Sequence, residues 1–135
     1  MRRLLIAGLV VFAAACVDHL PEQDLRILQA QPSAKLSASD LWKDFEADGA
    51  AARSRYFGKA IDLSDRPTAI ESDAAKGRAL VFSQGGDRGV RARLLDEQAD
   101  EILRDAKVGT RLTLRCYCEG RDGTGDVLLK SCIRP

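Results

Sequence analysis

Apolar positions along this chain recur first at helical and then at strand spacing. Leu41, Phe45, Ala52 and Tyr56 follow one another at roughly helical intervals. Ser37 is placed to cap that helix, with Leu36 and Leu41 set to touch across it as a hydrophobic staple. Asp48-Gly49 weakens its middle, and Gly58 suits a C-terminal stop. Trp42 and Phe45 read as core anchors. From Lys59 on, the period drops toward two. Ile61 and Leu63 alternate with polar residues, Leu80, Val81 and Phe82 form a short run, and Val90, Ala92 and Leu94 alternate with Arg91 and Arg93. The turns DRP and QGGDRG separate these three strands. In LLDEQADEILRDAKVG the helical period returns: Leu95, Ala99, Ile102 and Leu103 share a face, acids come early, and Arg104 and Lys107 come late. Two further strands follow over 112–118 and 127–133, joined by GRDGTGD.

The predicted order is helix, three strands, helix, two strands. One helix before strand 1 and one between strands 3 and 4 is the arrangement of an OB-fold-like, five-stranded Greek-key barrel, a mainly β fold with helices.

The first 36 residues depart from this pattern. MRRLLIAGLVVFAAAC opens with Arg2 and Arg3, then runs uncharged through residues 4–15. That run of 12 residues is too short to span a bilayer, which takes about 20. A charged start, a short apolar run and small residues at the cut site make residues 1–15 a secretory signal peptide. Ala13-Ala14-Ala15-Cys16 resembles the lipobox of bacterial lipoproteins, which implies lipidation at Cys16 and a lipid anchor in the membrane. Val17, where an aspartate would favour inner-membrane retention, implies the outer membrane, with the protein facing the periplasm. Residues 16–36 hold two prolines, three glutamines and no sustained period, and read as a flexible tether. The folded domain is then residues 37–135.

Processing changes the charge balance. Of 21 basic residues, loss of Arg2 and Arg3 leaves 19 against 20 acidic ones, a net charge of −1. A nucleic-acid-binding domain usually carries a basic excess, and this one has none. Arg91, Arg93, Arg111 and Arg115, with Arg88 nearby, could still line a sheet face with Phe82 and Tyr117 as its aromatics. That is the candidate ligand face for single-stranded nucleic acid or another polyanion. Acids interleave between these arginines, so a solvated sheet face is favoured over nucleic-acid binding. The only histidine, His19, lies in the tether, so neither a Ser-His nor a Cys-His pair can be built in the domain. The carboxylates show no recognisable pairing. QGGDRG lacks the Gly-Lys-Ser/Thr of a phosphate loop, and DGTGD, with only Asp122 and Asp126, reads as a hairpin turn rather than a calcium loop. The residues point to no catalytic site, small-molecule substrate, cofactor or metal.

Three cysteines crowd into LTLRCYCEGRDGTGDVLLKSC. In a strand, Cys116 and Cys118 point to one face with Tyr117 opposite. A fourth metal ligand is lacking, and so is the Cys-x-x-Cys spacing of redox motifs. Export to an oxidising compartment favours a disulfide to Cys132, and strand parity leaves Cys116 and Cys118 equivalent as partners.

The segments SASDLWKDFEADGAAARSRYFGKAIDL, VRARLLDEQADEILRDAKVGTRLTLRCYCEG and VLLKSC resemble the tRNA_anti-like family of bacterial OB-fold proteins. Tyr56, Gly58 and Lys59 match its Tyr-x-Gly-Lys lead-in to strand 1, and Gly109, Cys118 and Cys132 match later positions. The resemblance covers residues 36–134, and Asp48 stands where the family usually has asparagine. It implies a Cys118–Cys132 disulfide, with Cys116 left as a buried free thiol. Closing that 15-residue loop is worth about 3 kcal/mol in the chain-entropy model. The expected function is that of a non-catalytic envelope lipoprotein whose OB-fold domain binds a protein or another envelope component.

Overall fold

The change of period near Lys59 marks where helices give way to sheet. The computed structural model describes residues 20–73 and 77–135. A short 3-10 helix, η1 (Leu25–Gln29), and a short strand, β1 (Ala34–Leu36), come first. Helices α1 (Ala38–Ala47) and α2 (Gly49–Tyr56) precede strands β2 (Ala60–Asp65), β3 (Ala69–Asp73), β4 (Gly77–Gly85) and β5 (Arg88–Leu94). Helix α3 (Asp96–Asp105) then leads to β6 (Leu112–Arg121) and β7 (Val127–Ile133). The expected signal peptide, Cys16 and His19 lie outside the described residues.

The seven strands form one mixed sheet in the order β1-β2-β6-β7-β5-β4-β3. β1 lies parallel to β2 and β5 parallel to β7, and the other neighbours are antiparallel. Only residues 66–68 join β2 to β3, yet five strand spacings separate the two in the sheet. Laid flat, those spacings would cover about 24 Å, while four residue steps reach about 14 Å. The sheet must therefore curl until its ends approach. The mainly β reading holds, with helices before β2 and between β5 and β6, but the strands number seven. Two escaped notice for physical reasons. β1 is three residues long, and in β3, AIESD, the one large apolar side chain, Ile70, is exposed.

The first predicted helix is two helices. Ser37 Oγ caps α1 by accepting from Asp40 N at 3.0 Å, and Asp65 Oδ2 accepts from Ala38 N at 3.0 Å. At Asp48 the backbone turns extended, and its Oδ1 accepts from Ala51 N at 3.0 Å, capping α2. A short side chain that bonds to nearby backbone competes with the helix ladder, and here it wins beside Gly49. Tyr56 ties the halves together by donating to Asp44 Oδ2 at 2.6 Å.

Inside the curl, Leu41 and Phe45 of α1 pack on Ile61, Leu63, Leu80, Phe82, Val90, Leu94, Leu114 and Leu129 of the strands, with Ile102 of α3. A second, smaller cluster joins Ile27, Ala60, Leu95 and Ile133, with Ala30 and Tyr117 at its margin. Where the sequence predicts a flexible tether over residues 16–36, the described part, residues 20–36, holds η1, β1 and the buried Ile27. Ile27 is fully buried, which contributes about 2 kcal/mol. Asp24 N donates to Ser131 Oγ at 2.8 Å, and that hydroxyl donates to Glu22 O at 3.2 Å.

Candidate functional site

Two extra residues in the β6–β7 ladder decide what this region presents. On β7 the pairing runs from Tyr117↔Lys130 to Arg115↔Ile133, so Ser131 and Cys132 both face Cys116. Ser131 takes up the surplus with φ 55°. A bulge of this kind re-aims the side chains beside it. In unbroken pairing Cys132 would sit opposite Arg115; the bulge brings it to Cys116 instead. The disulfide is accordingly Cys116–Cys132, with Cα atoms 4.2 Å apart. This corrects the Cys118–Cys132 pairing implied by family resemblance. Cys118 pairs in register with Leu129 and is a buried free thiol. Burial pushes its pKa up to about 12, so the reactive thiolate is suppressed.

On β6 the surplus residue is Glu119, between Cys118↔Leu129 and Gly120↔Leu128. Gly120 follows at φ 92°, where a side chain would be strained, and a Cβ there would stand 3.2 Å from the Arg53 guanidinium. The bulge sets Glu119 Oε2 against Lys130 Nζ at 2.7 Å, with both side chains more than nine-tenths buried. Lys130 Nζ also donates to Leu20 O at 3.4 Å. Above this pair lies a cleft of about 200 Å³, lined by Arg53, Gly120, Arg121, Asp122 and Leu128 as well as the pair itself.

Two arginines hold the walls. Arg53, from α2, donates to Glu119 O at 3.2 Å and lies 4.1 Å from the centre of the Phe57 ring. Arg121 bonds Glu46 Oε1 at 2.5 Å and lies 4.8 Å from the centre of the Trp42 ring. Both are cation–π geometries; that of Arg53 fixes the guanidinium without neutralising it, while Arg121 is also ion-paired with Glu46. The cleft thus offers two oriented donors over a buried, internally compensated floor. Such a site suits a polar or acidic group flanked by apolar atoms.

The predicted ligand face is dispersed. Phe82 is buried in the core, closed to base stacking. Arg115 is bidentate to Asp62, at 2.7 and 3.0 Å, and donates to Ala30 O at 3.1 Å. Arg93 pairs with Glu22 at 2.6 Å, and Arg91 pairs with Glu71 and stands 3.9 Å from Asp126. Arg111 donates to Ser64 O at 3.1 Å. Tyr117 packs at the edge of the Ile27 cluster. β7 lies between the arginines of β5 and Arg115 of β6. Sequence reasoning passed over Arg53, Glu119, Arg121 and Lys130. The one signal for them is Gly120, a glycine inside a strand run, which marks a bulge.

Asp122 Oδ1 accepts from Thr124 N at 2.8 Å and Asp126 Oδ1 from Gly89 N at 2.9 Å, consistent with a turn. Among the described residues no group of three or more His, Cys, Asp or Glu side chains is placed to hold a metal ion.

The tRNA_anti-like family model matches residues 3–133, nearly the whole chain. No curated protein matches it.

Proposed function

The chain belongs to the tRNA_anti-like family, and from that premise we propose that it is a non-catalytic binding module, lipid-anchored in the bacterial cell envelope. On this reading β2 and β3 are halves of one strand bent at Pro67. With β4, β5, β6 and β7 they make a five-stranded Greek-key OB barrel, joined in the order first-second-third-fifth-fourth-first. Acylation at Cys16 anchors it, on the periplasmic side of the outer membrane by the residue at position 17. The ligand is a protein or another envelope component, and it engages the cleft between Arg53 and Arg121.

One observation carries the choice of ligand class. Arg115, Arg91 and Arg93, which a polyanion would need, are paired with Asp62, Glu71 and Glu22, and Arg121 at the cleft with Glu46, whereas Arg53 is held by the Phe57 ring and the Glu119 carbonyl, neither of them an acid. The buried Cys118 thiol supports a non-catalytic role.

A photo-crosslinking residue in place of Leu128, in living cells, should give one discrete adduct, and Arg121→Glu should abolish it. An adduct unchanged by Arg121→Glu would remove the cleft from the proposal. Salt-sensitive retention of the intact protein on a single-stranded oligonucleotide column would favour polyanion binding instead.

A further inference from the structure

Residues 20–30 bear on where the domain sits relative to its anchor. If the anchor is Cys16, the reading on which this inference rests, then four residue steps separate it from Leu20. Four steps span at most about 14 Å. Leu20 is already attached to the domain: its carbonyl accepts from Lys130 Nζ, and its side chain stands 4.0 Å from the Cβ position of Gly58. Glu22 and Asp24 continue the attachment through Arg93 and Ser131. A tether of 20 residues would leave the domain free of the bilayer, whereas one of four steps brings its surface to the headgroups.

Two exposed apolar side chains, Leu25 and Leu28, follow shortly after Leu20. Large exposed hydrophobic side chains among the described residues are Leu25 (53% exposed), Leu28 (44%), Ile70 and Val108. Leu25 and Leu28 are three apart in a 3-10 helix, in which side chains at that spacing eclipse each other. They form a paired patch, while Ile27 points inward and is fully buried. No described helix is long and apolar enough to cross a membrane.

We propose that η1 is a membrane-docking element: Leu25 and Leu28 enter the headgroup region of the membrane that holds Cys16 and fix the orientation of the domain on it. An apolar face in that position inserts by about 5–10 Å. Val108 provides the control. It lies before Leu112, at the end of β6 away from Cys118, whose carbonyl accepts from Gly58 N beside Leu20.

The test uses the full-length acylated protein in phosphatidylethanolamine/phosphatidylglycerol vesicles carrying acyl-chain bromine. Leu28→Trp, at an exposed position, should lose roughly half of its added emission to the bromine, as insertion to that depth requires. Val108→Trp should lose none, and Trp42 supplies the common baseline. Acylated, vesicle-bound protein with equal quenching at 28 and 108, or none at 28, overturns the docking alone. Absence of acyl mass on Cys16 overturns the anchor and the docking together.

Discussion

The two bulges in the β6–β7 ladder are the same device with opposite results. At Ser131 the surplus residue on β7 closes structure: it turns Cys132 onto Cys116 and offers its hydroxyl to the backbone of residues 22 and 24. At Glu119 the surplus residue on β6 opens structure, with a positive-φ glycine, a buried ion pair and a cleft above it. The difference lies in what surrounds each one. Ser131 is covered by the N-terminal segment, whereas the space beside Gly120 is bounded by the guanidinium of Arg53 and the rim of Phe45. An inserted residue becomes a lock where it joins a cysteine and a neighbouring segment, and the floor of a site where a cleft lies above it.

The largest effect should come from the open side. Glu119→Leu leaves the Lys130 ammonium buried without its carboxylate and should cost about 3–5 kcal/mol in urea unfolding. Adding Lys130→Met should recover most of that. If the single variant lost less than about 1 kcal/mol, the pair would behave as a surface ion pair, and the cleft floor would be solvated. On the closed side, Cys132→Ala should cost about 3 kcal/mol through the lost 17-residue loop. Cys118→Ala should cost about 1 kcal/mol as a small buried truncation. Equal losses from the two, or a Cys118–Cys132 peptide in non-reducing mass mapping, would reverse the assignment of lock and free thiol.

Gly120→Ala places a side chain at positive φ and presses on Arg53, for about 1–2 kcal/mol, with a loss of ligand capture larger than that of stability. The smallest effect is electrostatic. Arg26 donates to the Asp24 carboxylate and lowers its pKa below the ordinary 3.8. The stabilisation is therefore present above pH 3.8 and fades as pH falls through the lowered value. The Arg26 amide, which donates to Asp24 Oδ1, should titrate in NMR spectra with a midpoint below 3.8. A midpoint at or above it would uncouple η1 from this carboxylate.

Period and parity carried the sequence reading as far as the core. Val90, Ala92 and Leu94 are buried and Arg91 and Arg93 are not, as alternation requires, and Ile102 lies on the buried face of α3. The bulges were not legible in that way, because one added residue inverts parity and leaves no trace in composition. Cys116 and Cys118 were therefore equivalent until register separated them. Arg53 was invisible for another reason: Ala52 and Tyr56 mark the buried side of α2, but nothing in GAAARSRY tells that the arginine beside them meets β6. Ile27 was lost among the polar residues of a segment too short for periodicity to act on.

The attachment of residues 20–24 to Lys130 and Ser131 joins positions 107–110 apart in the chain. Contacts of such high order form only after a loop of nearly the whole polypeptide has closed, at an entropic cost that grows with loop length. The first described segment thus takes two of its partners, Lys130 and Ser131, from the last described strand. Ending the protein before Val127 would remove the disulfide and also these two partners of residues 20–24, leaving them the Arg93 pair.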